Sequence, residues 1–405
     1  MQEVLAYIEQ NKTGYVAQLA EVIGIPSIST DAARRNDMQR CAEWLAAHLR
    51  SIGMRRTQVT STAGNPIVYS EWCGAKSAPT ILLYAHYDVQ PPDPLELWTS
   101  PPFQLTIRDG KLYARGSTDD KGQPFIHLKA IEAHLQTVGR LPVNMKIVVE
   151  GEEETGGQSL PTFLAGHKDL LKSDLAVISD TAFFANEVPS ICCGLRGNVY
   201  FQLDLQGANR DLHSGLFGGS VHNPIQALSE IIAQLHDGNG RVTVRGFYDD
   251  VRPITREERE AFRRLPWADA NYKRDLGVDE LYGETGFSTL ERLWARPTLD
   301  CCGIVGGYTG EGIKSVIPAL ASAKVSMRLV PDQSPAKIAT LFNQHIRRIA
   351  PATVRLNLRC LAMAEPSIIP MDSPGMRAAV PLYEKALART LCSNETVAPY
   401  PSSLR

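Results

Sequence analysis

The sequence lacks several features that would place the chain in common classes of protein. No stretch approaches the run of about 20 apolar residues that a membrane-spanning helix needs, so no such helix is predicted. The 42 basic and 44 acidic residues nearly balance, and the net charge of −2 does not favour nucleic acid or an anionic membrane as a partner. The first residues lack the basic start and apolar run of a secretory signal.

The cysteines also exclude some functions. There are eight, and the adjacent pairs Cys192-Cys193 and Cys301-Cys302 have neither zinc-ribbon nor redox spacing. We therefore expect free thiols and a cytoplasmic protein. A chain of 405 residues with 43% hydrophobic content is long enough for two domains with full cores.

One short stretch, Thr80 to Asp88, carries the first sign of chemistry. Its apolar residues Ile81 to Ala85 are typical of a buried strand, which ends in His86 and Asp88. Side chains two apart on a strand share a face, and imidazole is a common metal ligand whose other nitrogen a carboxylate can orient. A hydrogen-bonded pair at a strand end is the alternative interpretation.

Carboxylates follow at further junctions between apolar runs and loops. Asp119 and Asp120 lie in a polar, glycine-bearing loop before a predicted helix, where either could instead be an N-cap. Glu150 to Glu154 follows the predicted strand Val143 to Val149, and a solvated acidic turn is the alternative there. Asp180 follows the predicted strand Leu175 to Ile178.

The periodicity predicts an α/β protein in two parts. Strands and helices alternate up to Asp180, which indicates a mostly parallel sheet with helices on both faces. Later strands, around 199–205 and 323–329, alternate apolar and polar residues and so have one wet face. We assign residues 1–187 and 362–405 to a catalytic domain, and residues 188–361 to an inserted α+β lid and dimerisation domain.

Six motifs resemble those of a dinuclear metallopeptidase family that includes carnosinase-like dipeptidases, acetylornithine deacetylase and glutamate carboxypeptidase. The similarity runs from about residue 5 to residue 390 and is strongest to the carnosinase-like dipeptidases. The motifs are His86-Tyr-Asp-Val-Gln-Pro91, Arg115-Gly-Ser-Thr-Asp-Asp-Lys-Gly122, Glu150-Gly-Glu-Glu-Glu154, Gly194-Leu-Arg-Gly197, Asp211-Leu-His-Ser-Gly215 and Arg328-Leu-Val-Pro331.

The resemblance implies a site with two divalent metal ions, zinc or manganese. It makes His86 and Asp180 ligands of one ion, Asp119 a bridge and Glu154 a ligand of the other. Glu153 is similar to the general base that acts on a metal-activated water. Asp at position 180, where carboxypeptidases and deacylases of the family have Glu, favours a dipeptidase.

The remaining roles implied by the resemblance concern orientation and substrate. Asp88 resembles the carboxylate that orients His86. His213 resembles a residue that reaches the active site of the neighbouring subunit in a homodimer and helps to hold the oxyanion. Arg328 resembles a residue that binds the substrate carboxylate, a task that suits a planar fork of donors.

The sequence departs from the family pattern after residue 391. The family has a C-terminal histidine that binds the second metal, whereas the last histidine here is His345. The end resembles a truncated or frame-shifted one, and we expect weaker binding of the second ion and an uncovered sheet edge. The hypotheses are therefore a metallo-dipeptidase, an N-acyl amino acid deacylase, and a catalytically impaired metal-binding remnant.

Overall fold

Two compact units make up the chain in a computed structural model, with the boundary between Ala182 and Phe183. The structure describes residues 1–185, 188, 190–387 and 392–394. No helix among these residues is long and apolar enough to cross a membrane.

The first unit carries the predicted ligand-bearing strands. Its helices are α1 (Gln2–Ile23), α2 (Arg35–Ser51), α3 (Gly122–Val138), α4 (Ser159–Gly166) and α5 (Lys168–Leu171). Its strands are β1 (Arg55–Thr60), β2 (Ile67–Trp72), β3 (Thr80–His86), β4 (Thr106–Arg108), β5 (Lys111–Tyr113), β6 (Asn144–Glu150) and β7 (Leu175–Ile178). The predicted strands are confirmed, with ends that shift by no more than a residue or two, and β4 and β5 form a hairpin through Asp109-Gly110.

The main sheet of this unit is mixed, in the order β1-β2-β6-β3-β7. β3 pairs in parallel with β6 and with β7, whereas β1 and β6 pair antiparallel with β2. The α/β class is confirmed, but the mostly parallel character predicted from sequence holds only for β3, β6 and β7. These three are the strands whose ends carry the predicted site.

Helices cover both faces of this sheet, as predicted. On one face, α1, α2 and α3 pack on β2, β3 and β6 through side chains such as Leu49, Phe125 and Leu83. On the other face, Phe163 of α4 and Leu171 of α5 pack on the same strands. Burial on both faces explains why these strands are apolar runs without alternation.

The second unit is built on a different plan. Its helices are α6 (Ser214–Phe217), α7 (Pro224–Ala233), α8 (Arg256–Arg264), α9 (Asp269–Leu276), α10 (Thr289–Trp294), α11 (Pro335–Ile349) and α12 (Pro374–Leu387). Its strands are β8 (Ser190–Cys192), β9 (Gly194–Leu195), β10 (Gly197–Gln206), β11 (Leu212–His213), β12 (Thr298–Gly306), β13 (Val316–Ile317), β14 (Leu320–Leu329), β15 (Arg355–Ala364), β16 (Ser367–Ile368) and β17 (Cys392–Asn394).

An antiparallel sheet in the order β12-β14-β10-β15 forms the body of this unit. Buried residues alternate strictly along β10, and they pack with α7 and α11 on one face of the sheet, as the period-two pattern predicts. Asn223 caps α7 by accepting a hydrogen bond from the backbone N–H of Ile225, with Pro224 at the first helical position. β15 continues to Ala364, past the predicted boundary at residue 361, and the assignment of residues 362–405 to the catalytic domain stays a prediction.

Candidate metal centre

The sheet brings three of the predicted ligand positions to one edge. His86 is the last residue of β3 and is paired in register with Glu150, the last residue of β6. Asp180 lies two residues beyond the end of β7, and Asp119 lies in the loop before α3. Because β3, β6 and β7 run parallel, their carboxyl ends and the loops that follow them meet at the same edge.

A histidine and two carboxylates converge there. Nε2 of His86 lies 3.2 Å from Oδ1 of Asp119 and 3.5 Å from Oδ2 of Asp180. One ligand atom from each of the three residues lies within 4.8 Å of the other two. The His86 side chain is fully buried, while Asp119 and Asp180 retain partial exposure, so a cation could enter from the solvent side.

The orientation of the imidazole fits a metal ligand. Nδ1 of His86 lies 3.0 Å from the backbone oxygen of Asp88 and 3.3 Å from its carboxylate, which keeps the proton on Nδ1. Nε2 then points at Asp119 and Asp180, and it is buried without a hydrogen-bond partner among the described residues. An imidazole nitrogen facing oxygen ligands is a donor set that zinc and manganese accept.

The electrostatics of the site indicate a place for positive charge. Burial lowers the pKa of His86, but Asp119, Asp180 and Asp88 raise it more strongly, so that the pKa lies well above its ordinary value. A bound cation would take over the role of that proton.

Asp88 also holds the loop that follows β6. Its two carboxylate oxygens accept hydrogen bonds from the backbone N–H groups of Glu153, at 3.3 Å, and Glu154, at 3.1 Å. The same side chain therefore orients His86 and fixes the two glutamates that the sequence singled out. The carboxylate lies at 0% exposure, which makes these contacts insensitive to solvent screening.

The two glutamates differ in their surroundings. Partial desolvation raises the pKa of Glu153 to about 7; His86 opposes this rise, and the carboxylates of Glu154 and Asp180 add to it. Desolvation also raises the pKa of Glu154. A hydrogen bond of 2.7 Å, which Gln90 donates to Oε2 of Glu154, lowers this pKa but does not cancel the rise. Glu154 lies outside the three-residue group, but repulsion from Asp119 contributes to its shift.

Asp120 belongs to the same site, and its N-cap interpretation was wrong. Lys121 occupies the N-cap position of α3, without a side-chain cap. The Asp120 carboxylate is instead buried, at 1% exposure, with Oδ2 3.4 Å from the backbone nitrogen of His86 and Oδ1 unpartnered among the described residues. Burial raises the pKa of Asp120 to about 8. The doubled aspartate was the only signal in the sequence.

The two predicted substrate-binding residues lie in the second unit. His213 is exposed at the start of α6, where its Nδ1 accepts a hydrogen bond of 3.0 Å from the backbone N–H of Gly215. Arg328 is exposed on β14, in register with Asn198 on β10 and Thr298 on β12. Both residues are exposed, and their roles stay predictions.

The outer edge of the first sheet is uncovered within the described residues. β7 is the last strand in the order, and Leu175 and Ile178 are exposed along it, at 38% and 55%. Ile126 on α3 is 70% exposed.

A mixed α/β sheet with a histidine and carboxylates at its parallel strand ends is an arrangement expected of a metal-dependent hydrolase. Residues 82–388 match Peptidase family M20/M25/M40, and the chain belongs to this family of metallopeptidases. It is a peptide-bond hydrolase, as the resemblance implied.

Relatives and solved structures agree with this assignment. The chain is 32% identical over 354 residues to the Cys-Gly metallodipeptidase dug1 of Schizosaccharomyces pombe, which covers 84% of this chain and 74% of the relative. Human carnosine dipeptidase 1 matches with a TM-score of 0.86 and 29% identity, covering 99% of this chain and 88% of that one. The M20 family metallo-carboxypeptidase Sso-CP2 from Sulfolobus solfataricus matches with a TM-score of 0.85 and 32% identity, over 95% of this chain and 86% of that one.

Proposed function

We propose that the chain is a metallo-dipeptidase that hydrolyses small peptides at a site built on His86, Asp119 and Asp180. The convergence of Nε2 of His86 with the two carboxylates is the observation that carries the proposal. The names of two of the relatives describe dipeptidases, and the family resemblance favours the same activity through Asp at position 180.

Two divalent ions, zinc or manganese, are the cofactors that we propose. His86 and Asp180 would hold one ion, Asp119 would bridge, and Glu154, steadied by Gln90, would bind the other. When bound, such ions lower the pKa of a water and polarise a carbonyl group. The oxygen-rich ligand set with one imidazole suits either metal.

Glu153 serves as the general base in this proposal. Partial burial raises the pKa of Glu153 and so makes its carboxylate a better base, which would accept a proton from the attacking water and return it to the leaving amine. The balance is one water consumed, one peptide bond broken, and one carboxylate and one amine released. Asp88 keeps Glu153 in place by accepting the hydrogen bond from its backbone N–H.

Arg328 would bind the substrate carboxylate and His213 the oxyanion. Arg328 offers a planar fork of donors that matches a carboxylate in two hydrogen bonds. We further propose a homodimer formed through residues 188–361, in which His213 serves the partner's site. Mixed dimers of a His213→Ala chain and a Glu153→Ala chain would then regain turnover, because one of the two sites would be intact.

A carboxypeptidase is the second candidate, since Sso-CP2 is as similar to this chain as the dipeptidases are. Assays with free dipeptides, longer peptides and N-acyl amino acids, run side by side with added zinc or manganese, separate the candidates. Preference for free dipeptides supports the proposal. Preference for longer peptides or for N-acyl amino acids contradicts it, and so does the absence of turnover, which is expected of the impaired remnant.

A further inference from the structure

Lys121 follows the two site aspartates and is one of the most buried charged residues of the first unit. Only 4% of the residue is exposed. Its Nζ donates hydrogen bonds to the backbone oxygens of Val22, at 2.9 Å, and Ile25, at 2.7 Å. A buried ammonium group is costly unless acceptors surround it, and these two carbonyls, one in the last turn of α1 and one just after the helix, supply them.

The segment that Lys121 binds also contacts the chain that follows His86. Oγ of Ser27 donates to the backbone oxygen of Tyr87 at 2.6 Å, and the backbone oxygen of Ser27 accepts from Val89 at 2.9 Å. Residues 22–28 are thus bonded to both ligand-bearing loops. Through them, the position of Asp119 is tied to that of His86, although the two lie in different loops.

The loop around Lys121 has little freedom of its own. The backbone N–H of Lys121 donates to the oxygen of Gly116 at 3.1 Å. A Cβ on Gly116 would lie 3.3 Å from Cδ of Lys121, and a Cβ on Gly122 would lie 2.0 Å from the oxygen of Ser117. Lys121 also lines an apolar cavity of about 20 Å³, and His86 is another of the residues that line it.

We propose that Lys121 is a positioning residue that sets the affinity of the site for divalent cations by fixing the loop that carries Asp119. The inference rests on the proposed metal site. A purely electrostatic role would have the opposite sign, because removal of a positive charge near an acidic cluster strengthens cation binding. Weaker binding after removal of the ammonium therefore identifies positioning.

Lys129 provides a matched control on the same helix. Lys129 is 5% exposed. Its Nζ lies 2.8 Å from Nε2 of His48 and 2.8 Å from Oε2 of Glu132. The same ammonium donates a hydrogen bond to Gln18 on α1. Lys121→Met and Lys129→Met each remove one buried ammonium that is bonded to α1. Only the first lies next to the ligand loop, so a general loss of stability would affect both variants alike.

The experiment measures the affinity for zinc and for manganese by competition with a chromogenic chelator, together with the thermal unfolding of each metal-free variant. We expect Lys121→Met to bind metal about 10- to 100-fold more weakly than wild type, and Lys129→Met to bind as wild type does. The apolar cavity beside Lys121 leaves room for the methionine.

Unchanged or tighter binding by Lys121→Met would overturn the inference, and so would an equal loss in both variants. If Lys121→Met does not fold, Lys121→Arg carries the test, since it keeps the charge but not the geometry of the two hydrogen bonds; wild-type affinity in that variant would contradict positioning. A wild-type chain that binds no metal would remove the proposed site and this inference together.

Discussion

The carboxylate of Asp88 lies 3.1 Å from the backbone nitrogen of Glu154, 66 residues further along the chain. The same carboxylate lies 3.3 Å from Nδ1 of His86. One buried side chain thus fixes a metal ligand on β3 and the loop of the proposed base after β6.

Asp88→Asn tests that link directly. An amide keeps the size of the side chain but has only one oxygen, so only one of the backbone N–H groups of Glu153 and Glu154 keeps its acceptor. We expect metal affinity to fall by about 10- to 100-fold, with lower turnover at saturating metal, measured by chelator competition and steady-state kinetics. Asp109→Asn, in the exposed hairpin turn, is the control and should match wild type. Equal behaviour of both variants would contradict the role of Asp88.

Replacement of Glu153 separates catalysis from metal binding. Glu153→Ala and Glu153→Gln should reduce kcat by about 10²- to 10⁴-fold, the usual contribution of a general base. The metal content from elemental analysis should stay near that of wild type, because Glu153 is not a proposed ligand. Full activity in either variant would show that another group takes the proton.

The raised pKa of Asp120 predicts that the stability of the metal-free protein depends on pH. Burial raises the pKa of Asp120 to about 8 in the folded chain. At any pH between the ordinary pKa of an aspartate and 8, the folded chain therefore keeps a proton that the unfolded chain has released. Stability from this group is therefore lost as pH rises toward 8, by up to about 1.4 kcal/mol per pH unit, and the loss levels off above that pH.

The difference between wild type and Asp120→Asn isolates this effect, since other titrating groups largely cancel. Denaturant unfolding with a chelator present, between pH 5.5 and 9, should show wild type losing stability relative to the variant up to about pH 8. A difference that does not change with pH would mean that Asp120 is ionised throughout.

The role proposed for Arg328 predicts that the enzyme prefers substrates with a free C-terminal carboxylate. Loss of a charged hydrogen-bonding group weakens binding by about 10- to 100-fold, so Arg328→Ala should raise KM for a dipeptide by that factor. The KM for the same dipeptide with an amidated C-terminus should change little. An equal rise for both substrates would assign Arg328 a role other than carboxylate binding.

The sequence predicted the site best where an apolar strand is followed by a histidine or a carboxylate. β3, β6 and β7 are short apolar runs, so the strands were visible in the sequence, and so were His86 at the end of β3 and Asp180 after β7. Asp120 was not, because a loop aspartate before a helix can cap it or turn inward, and only the tertiary fold decides. The burial of Lys121 depends in the same way on the end of α1.

Two edge strands were missed for physical reasons. β1 is largely polar and solvent-facing, with the sequence Arg-Arg-Thr-Gln-Val-Thr, so it has no apolar period. β12 contains a shift in register between Cys301 and Gly303, which interrupts its alternation. Both β1 and β12 form because they pair with neighbouring strands, and no local sequence pattern shows that pairing.

The most direct test of the whole account is the metal content of the purified 405-residue chain, measured by elemental analysis together with dipeptide turnover. We predict up to two zinc or manganese ions per chain together with dipeptide turnover. A His86→Ala variant should lose its metal and its turnover. A chain that binds no divalent metal after reconstitution, or a His86→Ala variant that keeps its metal and activity, would contradict the account.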